Sequence, residues 1–187
     1  MGKKYIGILG GTFDPPHAGH VFISNMSKKK LGLDEVWWVV SKRNPLKKKT
    51  LMYKSRLKKV KNFLENKRIK IYQFENEENI YTVDLIESLK KNFPKNSFIW
   101  LMGLDNLKSF HLWKKWQIIF NKIPIAIFDR PFYSLNLYQS KALSVFRKKR
   151  INIKSAKKLK YMSPPKWVFL TGYSNSQSSS KLREDEA

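Results

Sequence analysis

Short apolar runs of strand length recur along this chain, each followed by a segment whose apolar residues keep helical spacing, and that alternation leaves few folds open. Tyr5–Leu9 is the first run, and Pro16 to Lys30 then reads as a helix that stops at Gly32. Glu35–Val40 reads as a second strand, buried on both faces. Tyr53 to Asn66 carries Leu57, Val60, Phe63 and Leu64 on one stripe, and Ile69 to Phe74 returns as a strand. Thr82 to Asn92 places Leu85, Ile86 and Leu89 on one face and ends before Pro94. Phe98–Met102, Ile123–Phe128 and Trp167–Leu170 complete the strands. The pattern predicts an α/β fold, a doubly wound, mostly parallel sheet with helices on both faces, and the 187 residues are expected to form a single domain. Ligands of such sheets bind outside the carboxyl ends of the strands. Tyr133 to Pro165 fits least well: a weak helical pattern over Leu135 to Phe146 and a basic stretch read as a solvated helix and loop on the outer face.

The end of the first strand carries Gly10-Gly11-Thr12-Phe13-Asp14-Pro15-Pro16-His17-Ala18-Gly19-His20. Glycine tolerates positive φ and lets main-chain N–H groups close on phosphate oxygens, while paired prolines stiffen the turn. If a helix begins near Pro16, His17 and His20 share a face close to its positive N-terminus, where two imidazoles can hydrogen-bond an oxyanion. Lone histidines on a surface turn are the plainer reading, but one coincidence would then have to explain strand, glycines, prolines and both histidines.

Composition narrows the setting. The chain has no cysteine, which excludes disulfides and cysteine-based zinc sites. Lys3-Lys4 leads straight into the first strand without an apolar targeting segment, and no uncharged run approaches the roughly 18 residues of a membrane span, so a cytoplasmic protein is expected. The net charge of +24 is carried by clusters such as Lys28-Lys29-Lys30, Lys47-Lys48-Lys49, Arg147-Lys148-Lys149-Arg150 and Lys157-Lys158. A nucleic-acid surface is one reading of that charge. A lysine-rich bias decorating solvated faces, with potential that attracts anionic nucleotides, is the other. The second is favoured, because no cluster falls in a recognisable nucleic-acid motif or alternates with aromatic residues.

Three further segments follow strand ends or open helices. Gly103 to Trp116 begins with a turn-permitting glycine, and Asp105 is placed to cap the next helix, with Trp113 and Trp116 as core aromatics. Tyr81-Thr82 stands at a helix start, where Thr82 is an ordinary N-cap and the main-chain N–H groups suit an anion. Ser178-Ser179-Ser180-Lys181-Leu182-Arg183 offers hydroxyl and main-chain donors followed by a guanidinium, a phosphate-binding set or a serine-rich tail.

These segments together resemble one family. Gly10 to His20 is similar to the (T/S)GTFDPxHxGH signature of the nucleotidyltransferase superfamily, and Gly103 to Trp113 to the GxDxLxxFxxW string of bacterial nicotinate-nucleotide adenylyltransferases. The resemblance implies a Rossmann-like nucleotidyltransferase fold and transfer of AMP from ATP to nicotinate mononucleotide, giving deamido-NAD and pyrophosphate in NAD biosynthesis. It implies His17 and His20 as the catalytic pair and Gly10, Gly11, Thr12, Phe13, Gly103, Asp105, Ser178, Ser179, Ser180 and Arg183 as further ATP contacts. Thr12, Lys47, Tyr81, Thr82, Trp113 and Arg130 are implied for the nicotinate nucleotide, with Trp113 on the pyridine ring and main-chain N–H groups at Tyr81-Thr82 on its carboxylate. Magnesium is expected to arrive with ATP, on phosphate oxygens and water. Leu46 departs from the family, standing where many relatives have a histidine, whereas Arg56 matches the arginine that opens the next helix.

Three rivals stay open at this point. Pantetheine-phosphate adenylyltransferases share the chemistry but usually lack the first histidine and the GxDxLxxFxxW string. A nicotinamide-mononucleotide preference is not separated by side chains. A noncatalytic RNA-binding protein, using the basic surface, is the reading from another class.

Overall fold

A computed structural model describes residues 2–42, 46, 50–74, 81–129 and 140–171. Six strands form one sheet: β1 (Tyr5–Gly11), β2 (Glu35–Val40), β3 (Lys70–Ile71), β4 (Ser97–Gly103), β5 (Ile125–Phe128) and β6 (Trp167–Leu170). Their spatial order is β3-β2-β1-β4-β5-β6, and every neighbouring pair is parallel. The strands are apolar because both faces of the sheet are covered. On one face Leu9, Trp38, Val40, Leu101 and Val168 pack under α1 (Ala18–Leu31) and α2 (Tyr53–Leu64). On the other, Ile8, Val39, Trp100 and Ile127 pack under α3 (Thr82–Asn92), α4 (Leu104–Phe110), α5 (Trp116–Lys122) and α6 (Lys141–Val145). The doubly wound, parallel α/β fold expected from the strand–helix alternation is the fold observed, and β1 and β4 flank its topological switch point.

Besides shifts of one or two residues at the ends of β1, α2 and β4, the elements differ from the sequence reading in four places, each with a local cause. β3 shrinks from the expected Ile69–Phe74 to two residues, although Tyr72 still donates its N–H to Trp38 O at 2.9 Å and stacks on Trp37. An edge strand has partners on one side only, so a few side chains hold what a central strand holds with two ladders. β5 begins at Ile125 because Ile123 N–H is taken by Ile119 O at the end of α5. α1 starts at Ala18 instead of Pro16, with His17 in an extended conformation as its N-cap, while Gly32, at φ 63°, ends it as expected.

The fourth difference is a correction to the outer-face reading of Tyr133–Pro165. Within it, α6 is confined to Lys141–Val145, and Ile153–Tyr161 forms a 3-10 segment whose Ala156 and Leu159 join the core beneath α1. Lys160 Nζ donates to Gly32 O at 2.6 Å and lies over the Tyr5 and Tyr161 rings. Alternating lysines hid this apolar stripe, since their stems flank it while their charges stay in water. Leu135 and its neighbours through 139 lie outside the described residues.

At the amino ends of β1, β2 and β3, Glu35 is bound by Lys4 Nζ at 2.6 Å, Lys70 Nζ at 2.9 Å and Trp37 Nε1 at 2.8 Å. Partial burial pushes its carboxyl up, but those three hydrogen bonds and the Lys70 charge outweigh it and bring the pKa down to about 2. A carboxyl with a depressed native pKa contributes stability above its unfolded pKa of about 4.3 and loses it on acidification. The gap in melting temperature between the native protein and Glu35→Gln is therefore expected at pH 7, to narrow as the pH falls below about 4.3, and to vanish near 2. A gap independent of pH would remove the ionic contribution.

Candidate active site

The carboxyl ends of β1 and β4 meet at the switch point, and the Gly10–His20 and Gly103–Trp116 segments leave from there. Leu9 pairs with Leu101, so the turn leaving Gly11 and the turn leaving Gly103 open side by side. The pair Gly10-Gly11 closes β1, and neither residue has positive φ. The expectation of a glycine chosen for left-handed backbone is thus corrected. A Cβ on Gly10 would stand 2.4 Å from the Trp100 ring, and one on Gly11 would stand 3.3 Å from Phe13. Space for aromatic rings is what these positions require. The positive φ falls instead on Phe13, at 48°, in a buried turn that its packing must enforce. Phe13 stacks on Trp38 with centroids 4.7 Å apart and meets the His20 ring at the same distance.

The histidines come together, though in a different way from a shared helical face. His17 caps α1, its Nδ1 accepting from Gly19 N–H at 3.1 Å, and His20 Nδ1 accepts from His17 N–H at 3.2 Å. The two ring centroids are 3.8 Å apart. Because each Nδ1 accepts a main-chain N–H, the proton of each neutral imidazole belongs on Nε2. The first turn of α1 therefore carries two oriented N–H donors as well as the positive end of its own dipole. His17 is buried and His20 half-buried, and α1 has no acidic residue in its first turn to compete for them.

Across the switch point, Asp105 does not cap α4. Gly103 is the N-cap, without a side-chain bond, and Asp105 is the second helical residue, in the first turn. Thr82 likewise is the first residue of α3, and Tyr81 occupies the cap. The Tyr81 side chain makes no capping hydrogen bond; Asp84 N–H donates to Tyr81 O at 3.0 Å, so the N–H groups of Thr82 and Val83 are the ones that look outward from the helix start. Lys114 Nζ sits 4.0 Å from the centre of the Tyr81 ring, tying the α4–α5 turn to the start of α3. Trp113 is half-buried in that turn, edge-on to Trp100 at 6.2 Å and tilted against Phe110 at 5.0 Å, and Trp116 packs edge-on against Phe110 and Phe146. Gly10 abuts Trp100, and Trp113 and Tyr81 pack with it on one face of the sheet, while the His20 ring rests on Phe13 and Trp38 of the other. Lys47, Arg130, Ser178, Ser179, Ser180 and Arg183 lie outside the described residues.

One residue gained a role that the apolar pattern had concealed. Arg56 is 1% exposed, and its guanidinium donates to three main-chain oxygens: Nη1 to Thr12 at 2.7 Å, Nε to Leu51 at 2.9 Å and Nη2 to Lys42 at 3.0 Å. Burial lowers its pKa from the ordinary arginine value, opposed by the charge of buried Asp14. Arg56, Val60 and Leu64 recur every four residues, so the signal was an arginine sitting in the buried stripe of α2.

Among the described residues no group of three or more His, Cys, Asp or Glu is placed to hold a metal ion, and no helix is long and apolar enough to cross a membrane. The cytidylyltransferase-like family model matches residues 8–185. A protein of Agrobacterium fabrum named "Probable nicotinate-nucleotide adenylyltransferase" is 38% identical over 183 residues, spanning 96% of this chain and 98% of that protein. A relative of the same name in Rhizobium etli is 37% identical over 181 residues, 95% and 94% of the two chains. The fold matches that of Plasmodium falciparum nicotinic acid mononucleotide adenylyltransferase complexed with NaAD, with a TM-score of 0.70 at 19% identity over 97% of this chain and 83% of that one. Parallel order, switch-point turns and full-length similarity agree, and the chain belongs to the nicotinate-nucleotide adenylyltransferases of the cytidylyltransferase-like family.

Proposed function

We propose that the switch-point cleft binds ATP against the Gly10–His20 turn and nicotinate mononucleotide against Tyr81, Thr82 and Trp113, and that adenylyl transfer occurs between them. The observation that carries this is the pair of Nδ1-anchored imidazoles at the start of α1. A 5′-phosphate oxygen of the acceptor forms a bond to the α-phosphorus as the bond to the bridging oxygen of pyrophosphate breaks, in line and without a covalent enzyme intermediate. Nε2–H of His17 and of His20 donates to the phosphate oxygens on which charge grows, and Thr12 and Phe13 hold the adjacent main chain. Ser178, Ser179, Ser180 and Arg183 take the outer phosphates, and Lys47 and Arg130 the acceptor, as the family resemblance assigns them. Imidazole nitrogens are poor partners for a hard cation, so a magnesium ion would be held by ATP's own oxygens and water and would supply charge neutralisation. The setting that fits these substrates is the cytoplasm, with a single nucleotidyltransferase domain over 1–187.

The leading N–H groups of α3 favour a carboxylate over an amide through a charge-assisted hydrogen bond. Pyrophosphate release with ATP and each of nicotinate mononucleotide, nicotinamide mononucleotide and phosphopantetheine tests the assignment. Nicotinate mononucleotide is expected to lead the nicotinamide form by about tenfold or more in kcat/KM. A faster reaction with either other acceptor overturns the substrate assignment, and inactivity with all three alongside salt-sensitive RNA binding favours the RNA-binding reading.

A further inference from the structure

Arg56 is itself assigned no substrate contact, yet its three donors converge on separate pieces of the site's frame, one of them the main chain of Thr12. Thr12 O belongs to the turn after β1, Lys42 O follows β2, and Leu51 O precedes α2. The same region is cross-linked once more, since Leu51 N–H donates to Asp14 Oδ2 at 3.0 Å. Asp14 and Arg56 are both buried, so the carboxylate balances the guanidinium in an environment that would otherwise expel the charge. A planar fork can serve three carbonyls at once, which a lysine ammonium on a flexible stem does with far less fixed geometry. The clamp also acts where the backbone is strained: Thr12 immediately precedes Phe13 at φ 48°, and Phe13 in turn supports the His20 ring. We propose that Arg56 is a positioning residue for adenylyl transfer, holding Thr12 so that the Phe13 turn stays closed and the His17–His20 pair stays aligned with the reacting phosphate. This rests on the cleft reading above, in which those residues face the phosphates.

The test is Arg56→Lys, which keeps the charge opposite Asp14 and loses the fork. With ATP and nicotinate mononucleotide, kcat is expected to fall about 10- to 100-fold, the scale of a misalignment near 1 Å, while KM for nicotinate mononucleotide stays within about threefold. Hydrogen exchange separates local loosening from general instability: peptides covering Thr12–His20 should exchange faster while those covering β4 and β5 stay protected. Wild-type kcat in the folded variant overturns the proposal, and so does acceleration spread evenly over the sheet. If Arg56→Lys does not fold, Arg56→Gln, neutral with two N–H donors, is measured the same way. Inactivity of the wild-type protein with nicotinate mononucleotide would defeat the substrate reading, whereas exchange confined to Thr12–His20 would still report the clamp.

Discussion

Replacing His20 by alanine is expected to lower kcat for deamido-NAD formation by about 10²–10³ while leaving the protein folded, the usual cost of one preorganised donor to a developing oxyanion. The fold should survive because what His20 gives to structure is modest. Its Nδ1 accepts one main-chain N–H, from His17 at 3.2 Å, and its half-buried ring leans on Phe13 and Trp38. Loss of such a cap costs about 1 kcal/mol, against a typical total of about 5–15 kcal/mol. What His20 gives to chemistry is larger, since the bond on Nδ1 fixes which nitrogen bears the proton and how the ring is turned. His20→Asn separates the two effects: an amide oxygen can replace the cap, so it should melt closer to the native protein than His20→Ala and still turn over slowly. Thermal melts beside initial rates of pyrophosphate release check both. Near-normal turnover in a folded His20→Ala protein would take the residue out of the mechanism.

Gly10→Ala is expected to damage stability and activity together, and for a reason unconnected with backbone freedom. Its Cβ would lie 2.4 Å from one Trp100 ring atom and 2.9 Å from another, separations that require the strand or the indole to move. Overpacking of a close-packed interior costs about 1–3 kcal/mol, and here the displaced ring is the one Trp113 packs against edge-on at 6.2 Å. Trp100→Phe removes the outer ring that causes the clash. Trp100 Nε1 makes no hydrogen bond among the described residues, so the substitution strands no polar partner there. Trp100→Phe alone should destabilise through lost packing, whereas the double variant should recover part of the Gly10→Ala loss. The resulting coupling is expected to be about 1 kcal/mol or more in a urea-denaturation cycle. Additive losses would mean that the ring and the glycine are independent, and that Gly10 serves another purpose.

The same residues show what could be read in advance. The strand at Glu35–Val40 and the helix at Thr82–Asn92 have the bounds that their apolar spacing predicted, because a central strand and a core-facing helix state their burial in period. Edge strand β3 and the Ile153–Tyr161 segment are hard to read because the first rests on single side chains and the second masks its short apolar stripe with lysines. Both histidines, Tyr81 and Trp113 stand out by motif, while Arg56 stands out only by its match to an arginine that opens the next helix, with no sign of the three main-chain bonds it makes.

By itself the chain's order of residues determined the doubly wound sheet, the place of the Gly10–His20 turn and the family to which both belong. These depend on local spacing and on which residue types follow a strand, and sequence carries both directly. Only the tertiary structure decided how the turn is held: His17 as a cap in place of a helical residue, Phe13 in the left-handed region, Gly10 as space for Trp100, and Arg56 across Thr12, Lys42 and Leu51. The Gly10–Trp100 approach and the Arg56 bonds join positions that the chain keeps apart, and the His17 cap and the Phe13 turn are local conformations held by the packing around them, so no local preference records any of the four.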